Sequence, residues 1–355
     1  MELVCKPSNF KSPIALVGAG TTSRDFYNSI KSTGAIVDLV VDSNPDLFGE
    51  YFYESHLQVS ELSSLTSFKG EIFILCAGNY QLVKDLNQLG ISEINYFYNY
   101  EVNKVFFNNW KTNLPWFPKI LTTLKDDKSL QSLKAIVKAA ELGSYSDAFS
   151  LTVPKPFFSS ETLQITAGDV LLDLGSYRGS HLRALTLKDL TNLDKIICVE
   201  PNSGNNSYLV GLFDDDQRKM VLWRLKLEII NSAIKEVSGT GFNSDSSMAN
   251  KVESNTLKMA TLKEGCEVSL LSLDSLIDLK PSIMTCDIEG DELNLLRGGQ
   301  SFFEKLRPRV AVSTYHHVSH LQSVYEYFNL LHPSSFQFRL HDYGFMDQVL
   351  YVHLH

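Results

Sequence analysis

The sequence predicts an α/β protein of two doubly wound, Rossmann-like domains joined by a helical connector. Three observations lead there. Short apolar runs alternate with amphipathic stretches in both halves of the chain, the mark of β-α-β units on a largely parallel sheet. An aromatic and then helical stretch interrupts that alternation near the middle. The length of 355 residues exceeds what one hydrophobic core usually serves, and 44% of residues are apolar.

The first domain is placed at 1–100. It opens with the run Ile14 to Val17, passes through Gly18-Ala19-Gly20, and enters a helical segment ending near Thr33-Gly34. A second run, Ile36 to Val41, stops at Asp42. Further runs at Ile72–Cys76 and Ile94–Tyr98 flank an amphipathic stretch from Gln81 to Leu89. From 101 to 165 the character changes. Val105 to Trp110 and Leu114 to Pro118 are rich in aromatics, and from Ser129 to Glu141 the residues Leu130, Leu133, Ile136, Val137 and Ala140 share one helical face. The aromatics are read as core packing for a connector.

The second domain, 166–355, resumes with Gly168 to Asp173, and strands are expected near 196–199, 227–230, 282–286, 309–313 and 347–352. The polar stretch between Lys235 and Glu267 carries Ser238-Gly239-Thr240-Gly241 and Ser244-Asp245-Ser246-Ser247. It reads as a surface loop rather than a strand pair.

Composition narrows the functional classes. A formal net charge of −9 disfavours nucleic acid and anionic lipid as partners, and small or neutral substrates fit better. No apolar run approaches a membrane span and the first residues lack a signal-peptide core, so a cytoplasmic protein without membrane insertion is expected. The five cysteines include no C-x-x-C pair; Cys76, Cys198 and Cys286 each fall in an apolar run and read as small buried hydrophobes. A homo-oligomer is compatible with all of this.

The central motif is Val170-Leu171-Leu172-Asp173-Leu174-Gly175-Ser176-Tyr177-Arg178-Gly179-Ser180, in which an apolar strand ends beside an acidic residue and enters a glycine-containing turn. Gly175 would allow the tight turn and Gly179 a close backbone approach, and a following helix would offer free N–H groups to a carboxylate. A dinucleotide fingerprint would show G-x-G-x-x-G with no acidic side chain facing a pyrophosphate. Here the acid argues for a cationic ligand end, as in S-adenosylmethionine. Asp173 would fix its ammonium group, directly or through water, and the backbone from Ser176 to Gly179 would face its carboxylate. Glu200, closing the run Ile196 to Val199, is placed to accept hydrogen bonds from both ribose hydroxyls. Asn231, ending Leu227 to Ile230, sits either beside the adenine or as a turn cap.

In ordered blocks over about 155–355 the sequence resembles the FkbM-type methyltransferase family. The blocks are Pro156-Phe157-Phe158, Leu172 to Ser180, Val199-Glu200-Pro201-Asn202, Leu271 to Leu276, Cys286-Asp287-Ile288-Glu289-Gly290-Asp291-Glu292 and Thr314-Tyr315-His316-His317. The segment Asp287-Ile288-Glu289-Gly290 with Glu292, Leu296, Gly298 and Arg307-Pro308 is the most specific. The resemblance implies a class I methyltransferase-like fold and O-methylation of sugars or related natural-product hydroxyls, with S-adenosylmethionine as donor. Thr285 stands where that family often has lysine, and His320 where an acidic residue is frequent. The N-terminal segment is similar to the small nucleotide-binding domain fused to some sugar-modifying enzymes, through Gly18-Ala19-Gly20, Val41 to Pro45 and Gly49; Ser23 replaces the third glycine of a dinucleotide motif.

Methyl transfer to oxygen needs alignment and a proton acceptor. Asp287 ends a strand at the ligand-bearing edge and is read as catalytic, orienting the acceptor or a metal. Glu289 is read as binding a substrate hydroxyl, with Tyr315 beside it, while Glu292 is given to the first turn of the next helix. His316, on the following strand end, is the expected general base. A zinc set of His316, His317, His320 and Asp287 ranks below that reading because no metal-ligand motif is present, and magnesium is compatible but not called for. Two other classes compete: a sugar-nucleotide or NAD-dependent enzyme working through Gly18 to Gly20 and Asp42, and a non-catalytic ligand-binding scaffold.

Overall fold

In the computed structural model the described residues are 13–31, 34–74, 80–91, 95–96, 117–124, 126–142, 151–153, 157–159, 161–212, 225–236, 238–243, 252–254, 266–317, 319–331, 334–341 and 347–355. The chain divides into two compact units: Met1–Pro118 with Leu130–Pro154 and Leu340–Asp347, and Lys119–Ser129 with Lys155–Arg339 and Gln348–His355. The stretch 101–165 is thus shared between the units instead of standing as a body of its own. Its aromatic part, from Val105 to Trp116, lies outside the described residues, as does Cys76.

In the first unit, β1 (Ile14–Val17), β2 (Val37–Asp42), β3 (Val59–Glu61), β4 (Glu71–Ile74) and β5 (Asn95–Tyr96) form a parallel sheet in the order β3-β2-β1-β4-β5. The helices are α1 (Thr21–Lys31) and α2 (Tyr80–Gln88). Alternate residues of β1 enter two clusters, Ile14 and Leu16 in one, Ala15 and Val17 in the other, as expected of a strand covered on both faces. Ala19 N–H donates to Asp42 Oδ2 at 2.7 Å, and the buried Ser23 hydroxyl donates to the Gly18 carbonyl.

The helical elements α3 (Phe117–Leu121) and α4 (Asp127–Leu142) follow, the latter burying Leu133 and Ile136 at the spacing of one helical turn. The second unit begins its sheet with β6 (Asp169–Leu174), β7 (Leu193–Val199) and β8 (Lys226–Ile230), with α5 (Leu187–Asn192) and α6 (Ser203–Val210) between them. Thr186 and Asp189 close a reciprocal capping box at the start of α5, and Asn202 caps α6 by accepting from Gly204 and Asn205 N–H.

Next come β9 (Ser232–Ile234), β10 (Gly239–Asn243), β11 (Val252–Ser254) and β12 (Cys266–Leu271), a separate sheet in the order β11-β10-β12-β9. The stretch read as a loop therefore contains an antiparallel pair, β10 with β11, and β10 also pairs antiparallel with β12. The pattern gave no warning because Gly239, Gly241 and the adjoining serines lack the apolar alternation by which a half-buried strand is recognised.

The large sheet is completed by β13 (Ile283–Cys286), β14 (Arg309–Ser313), β15 (Ser334–His341) and β16 (Asp347–Leu354), with α7 (Glu292–Arg297), α8 (Gln300–Leu306) and α9 (His320–Leu331). Its order is β15-β16-β14-β13-β6-β7-β8. The pairs from β14 through β8 are parallel, and β16 runs antiparallel to β14. The chain steps outward from β6 to β8 in one direction and resumes at β13 on the other side of β6. Connections leaving β6 and β13 diverge and open a crevice at their carboxyl ends. At the opposite, amino-terminal edge Asp169 accepts from Arg309 at 2.6 Å, from Ser282 Oγ at 2.7 Å and from Thr166 N–H at 2.6 Å, tying three chain segments together. Among the described residues no helix is long and apolar enough to cross a membrane.

Candidate functional site

A cavity of about 380 Å3 lies at the carboxyl edge of the large sheet, within the size range of small-molecule sites. Each strand of the switch region contributes to its lining: Gly175 and Tyr177 after β6, Glu200 and Pro201 after β7, Asp287, Glu289 and Gly290 after β13, His316 and His317 after β14. The small sheet adds Ser232 to Ile234 and Lys235.

Gly175 is what brings the β6 and β13 loops together. Its φ is +78°, and a Cβ there would stand 1.9 Å from the Asp287 carbonyl oxygen, so the two backbones meet with no side chain between them. Asp287 N–H in turn donates to the Leu174 carbonyl at 2.9 Å. Glu289, at φ +58°, holds a left-handed conformation uncommon for a residue with a side chain, immediately before Gly290 at +104°. That double reversal directs the chain from the end of β13 into α7.

The residues expected to meet a methyl donor divide into those on the cavity and those behind it. Glu200 reaches the cavity and is buried; Oε1 accepts from Asn202 N–H at 2.9 Å and Asn205 Nδ2 at 3.2 Å, and Oε2 from Tyr177 N–H at 2.9 Å. A carboxylate has about four acceptor positions, so roughly one remains. Burial pushes its carboxyl up, against those hydrogen bonds. Asp173 lies behind the turn, 1% exposed; Oδ1 accepts from the Thr285 hydroxyl at 2.6 Å and Oδ2 has no hydrogen-bond partner. Its carboxyl is raised by burial, opposed by the charge of His181 and by the Thr285 and Ser176 hydrogen bonds. The departure at Thr285 thus places a hydroxyl against Asp173.

The helix expected directly after Gly179 is absent. A 3-10 turn, Leu182–Ala184, and then the six-residue α5 stand there. Most N–H groups of the turn are committed inside the protein: Gly175 and Ser176 to the Val199 carbonyl, Tyr177 to Glu200, and Gly179 to the Ser176 carbonyl. The N–H groups of Ser176, Tyr177 and Gly179 are thus engaged without a ligand. The reason is local: the Ser176 hydroxyl bonds the Asp173 carbonyl and Tyr177 adopts φ +48°, which folds the turn on itself. Gly179 faces Leu212 and Leu209, away from the cavity lining. Asn231 sits exposed at the end of β8, its amide nitrogen donating to the carbonyls of Pro201 at 2.9 Å and Glu200 at 3.1 Å; it fastens the β7 loop.

The acceptor-side residues form one charged cluster. His316 Nε2 lies 3.4 Å from Asp287 Oδ1 and 3.5 Å from Glu289 Oε2, and its Nδ1 lies 3.0 Å from Glu292 Oε1. The Tyr315 hydroxyl donates to both Asp287 oxygens at 3.3 and 3.4 Å, and its ring stacks on His316 with centroids 4.1 Å apart. Burial alone would depress the His316 ring, but Glu292 beside it and the charges of Asp287 and Glu289 raise it to about 9. Glu292 is fully buried; burial opposes its charge, yet His316 and His320 hold the carboxyl far below the ordinary range.

Sequence reasoning assigned Glu292 only to a helix turn, placed His320 in a zinc set with His316, His317 and Asp287 that it ranked second, and did not single out His181, whose Nε2 is 3.8 Å from Asp287 Oδ2. The four-residue spacing of His316 and His320 had suggested that set; nothing local joined Glu292 to it. Cys198 and Cys286 are buried free thiols, both pushed up by burial.

Residues 173–351 match the model of the methyltransferase FkbM domain, half of the chain and all of the switch region. The chain belongs to the FkbM methyltransferase family. The crystal structure of methyltransferase FkbM from Methylobacillus flagellatus KT is similar over 96% of this chain and 89% of that one, with a TM-score of 0.65 at 17% identity, so the fold is shared. The precorrin-6y C5,15-methyltransferase from Geobacter metallireducens GS-15 covers 57% of this chain and 92% of its own, with a TM-score of 0.31 at 12% identity. No curated protein matches the chain significantly. As an FkbM methyltransferase, the protein carries a mixed α/β fold dominated by parallel strands, with the family match beginning at Asp173 and extending beyond His316.

Proposed function

We propose that this FkbM methyltransferase transfers a methyl group from S-adenosylmethionine to a hydroxyl of a sugar, glycoconjugate precursor or related natural product. The observation that carries the reading is a single cavity flanked by Glu200, with its one remaining acceptor position, and by the Asp287–His316 pair. Glu200 would take a ribose hydroxyl. Asp173, through its unpartnered Oδ2, would supply negative charge beneath the donor's ammonium group, through water because the turn covers it.

The acceptor class follows from the lining. Four carboxylates, Glu200, Asp287, Glu289 and Asp291, line the cavity with a single lysine, Lys235, and three histidines, which favours a neutral or cationic molecule with several hydroxyls over an anionic one. In the reaction the acceptor oxygen attacks the methyl carbon in line with the carbon–sulfur bond, whose electron pair returns to sulfur, and the hydroxyl proton must leave. His316 is committed on both sides, Nδ1 to the buried Glu292 and Nε2 to Asp287, so the proton-accepting role moves from His316 to Asp287. His316 and Tyr315 then orient that carboxylate, and Glu289 meets a second hydroxyl.

Calorimetric titration tests the donor half. Glu200→Gln should weaken S-adenosylmethionine by roughly tenfold or more, the cost of a charged hydrogen bond. Saturable NAD binding with no affinity for the methyl donor would overturn the proposal in favour of a nucleotide-dependent enzyme. A methyl-transfer screen of neutral polyols, read by mass spectrometry, then identifies the acceptor.

A further inference from the structure

We propose that Glu292, His316 and His320 form a three-ligand site for a zinc-class divalent cation, with its open coordination position facing the cavity. One ligand atom from each residue lies within 4.8 Å of the other two. Two separations are tighter: Glu292 Oε1 to His316 Nδ1 is 3.0 Å and Glu292 Oε2 to His320 Nδ1 is 3.2 Å. For a tetrahedral ion with bonds of about 2.0–2.1 Å, neighbouring ligand atoms stand roughly 3.3 Å apart, and each imidazole is already within that reach of one Glu292 oxygen, His316 of Oε1 and His320 of Oε2.

The second observation is the burial of these groups. Glu292 is 0% exposed and the His320 side chain 9%; His316 Nδ1 and His320 Nδ1 face the Glu292 carboxylate at 3.0 and 3.2 Å, and neither they nor Glu292 Oε2 meet any other hydrogen-bond partner among the described residues. Buried polar atoms that meet only one another are costly, and two imidazole nitrogens turned toward one buried carboxylate can share a cation in place of protons. Glu292 Oε1 accepts from Ile288 and Gly290 N–H at 3.1 and 3.3 Å, which fixes the carboxylate with Oε1 beside His316 and Oε2 beside His320. The remaining nitrogen of His316, Nε2, faces Asp287 and Glu289, as the outer nitrogen of a metal-bound histidine faces a carboxylate.

Two imidazoles and one carboxylate suit zinc and its neighbours rather than magnesium, which takes an oxygen shell. His317 is not a member: its Nδ1 is engaged with the Ser319 hydroxyl at 2.8 Å. Because His316 and His320 line the cavity and Glu292 lies behind them, the fourth position opens beside Asp287. Resting on the methyl-transfer reading, the acceptor hydroxyl would occupy that position, with its proton acidified by the ion and passed to Asp287.

The test uses the full chain, stripped with chelator, incubated with zinc chloride, dialysed and measured by plasma mass spectrometry. About one zinc per chain is expected. His320→Ala and Glu292→Gln should each lower zinc affinity at least tenfold, His317→Ala should leave it unchanged, and millimolar magnesium should not compete. Should those variants misfold, cobalt substitution of the wild-type protein decides: a tetrahedral spectrum without a thiolate band supports the site, and octahedral or thiolate-type absorption overturns it. Substoichiometric zinc in the wild type, or equal losses in His317→Ala and His320→Ala, also overturns it. Titrating the same samples with S-adenosylmethionine separates the readings, since zinc uptake without donor binding would remove the methyl-transfer proposal and leave the metal site standing.

Discussion

Replacing Gly175 by alanine tests whether the meeting of the β6 and β13 loops organises the site. The new Cβ would lie 1.9 Å from the Asp287 carbonyl oxygen, a contact that must open by about 1 Å before it is tolerable. At φ +78° an alanine also bears a left-handed penalty of about 1–2 kcal/mol. Opening the gap strains the Asp287 N–H to Leu174 carbonyl bond of 2.9 Å, worth about 1 kcal/mol if lost. Together with the shift of the loop the variant should be about 3–4 kcal/mol less stable, a large share of the roughly 5–15 kcal/mol of an ordinary domain. Urea unfolding followed by circular dichroism measures this, with Gly239→Ala as a control, since nothing lies within 4 Å of its Cβ position. If Gly175→Ala unfolds within about 1 kcal/mol of the control, the reasoning that joins these loops through one glycine fails.

Asp173→Asn should keep the Thr285 hydrogen bond and most of the stability while lowering S-adenosylmethionine affinity by roughly tenfold; calorimetry with an unchanged constant would remove the charge beneath the donor from the scheme. Asp287→Asn should reduce turnover by about two orders of magnitude or more, and Tyr315→Phe by only several-fold, both with donor affinity retained; a larger loss from Tyr315→Phe would invert those roles. Arg309→Ala should cost about 2 kcal/mol by stranding Asp169. Despite burial, Arg309, Thr166 and Ser282 hold the Asp169 carboxyl below its ordinary range. Its contribution is therefore present above the unfolded-state value near 4 and is lost as pH falls through the lower folded value. Urea midpoints from pH 7 to 3 should show the Arg309→Ala deficit shrinking at the acid end, and a constant deficit would contradict the assignment.

Much of the large sheet was legible because its parallel strands are covered on both faces and so appear as continuous apolar runs. Leu171 to Leu174, Ile196 to Val199 and Val310 to Val312 are nearly all fully buried. The loop residues at strand ends were legible for the same reason, since a polar residue closing an apolar run stands out. What stayed hidden depends on pairing at a distance. The strands β10 and β11 show no apolar alternation of their own, and β10 is recognised only through its partners β11 and β12. The turn from Ser176 to Gly179 looks like a helix entrance in sequence, but Glu200, 23 residues beyond Tyr177, captures the Tyr177 N–H. Glu292 follows the same rule: its helical position explains its charge locally, while its proximity to His316 and His320 arises only when β13 and β14 lie side by side.

The contact at Gly175 also limits how such an enzyme can be re-engineered. A shim inserted between two machine parts alters every clearance downstream, and here no shim exists: the turn beside Glu200 rests directly on the peptide of Asp287. Grafting an acceptor loop from a relative onto this scaffold would therefore carry its own spacing into the donor half. Chimaeras that exchange residues 173–180 and 285–292 together should keep working, whereas exchange of either alone should disturb both ligands at once.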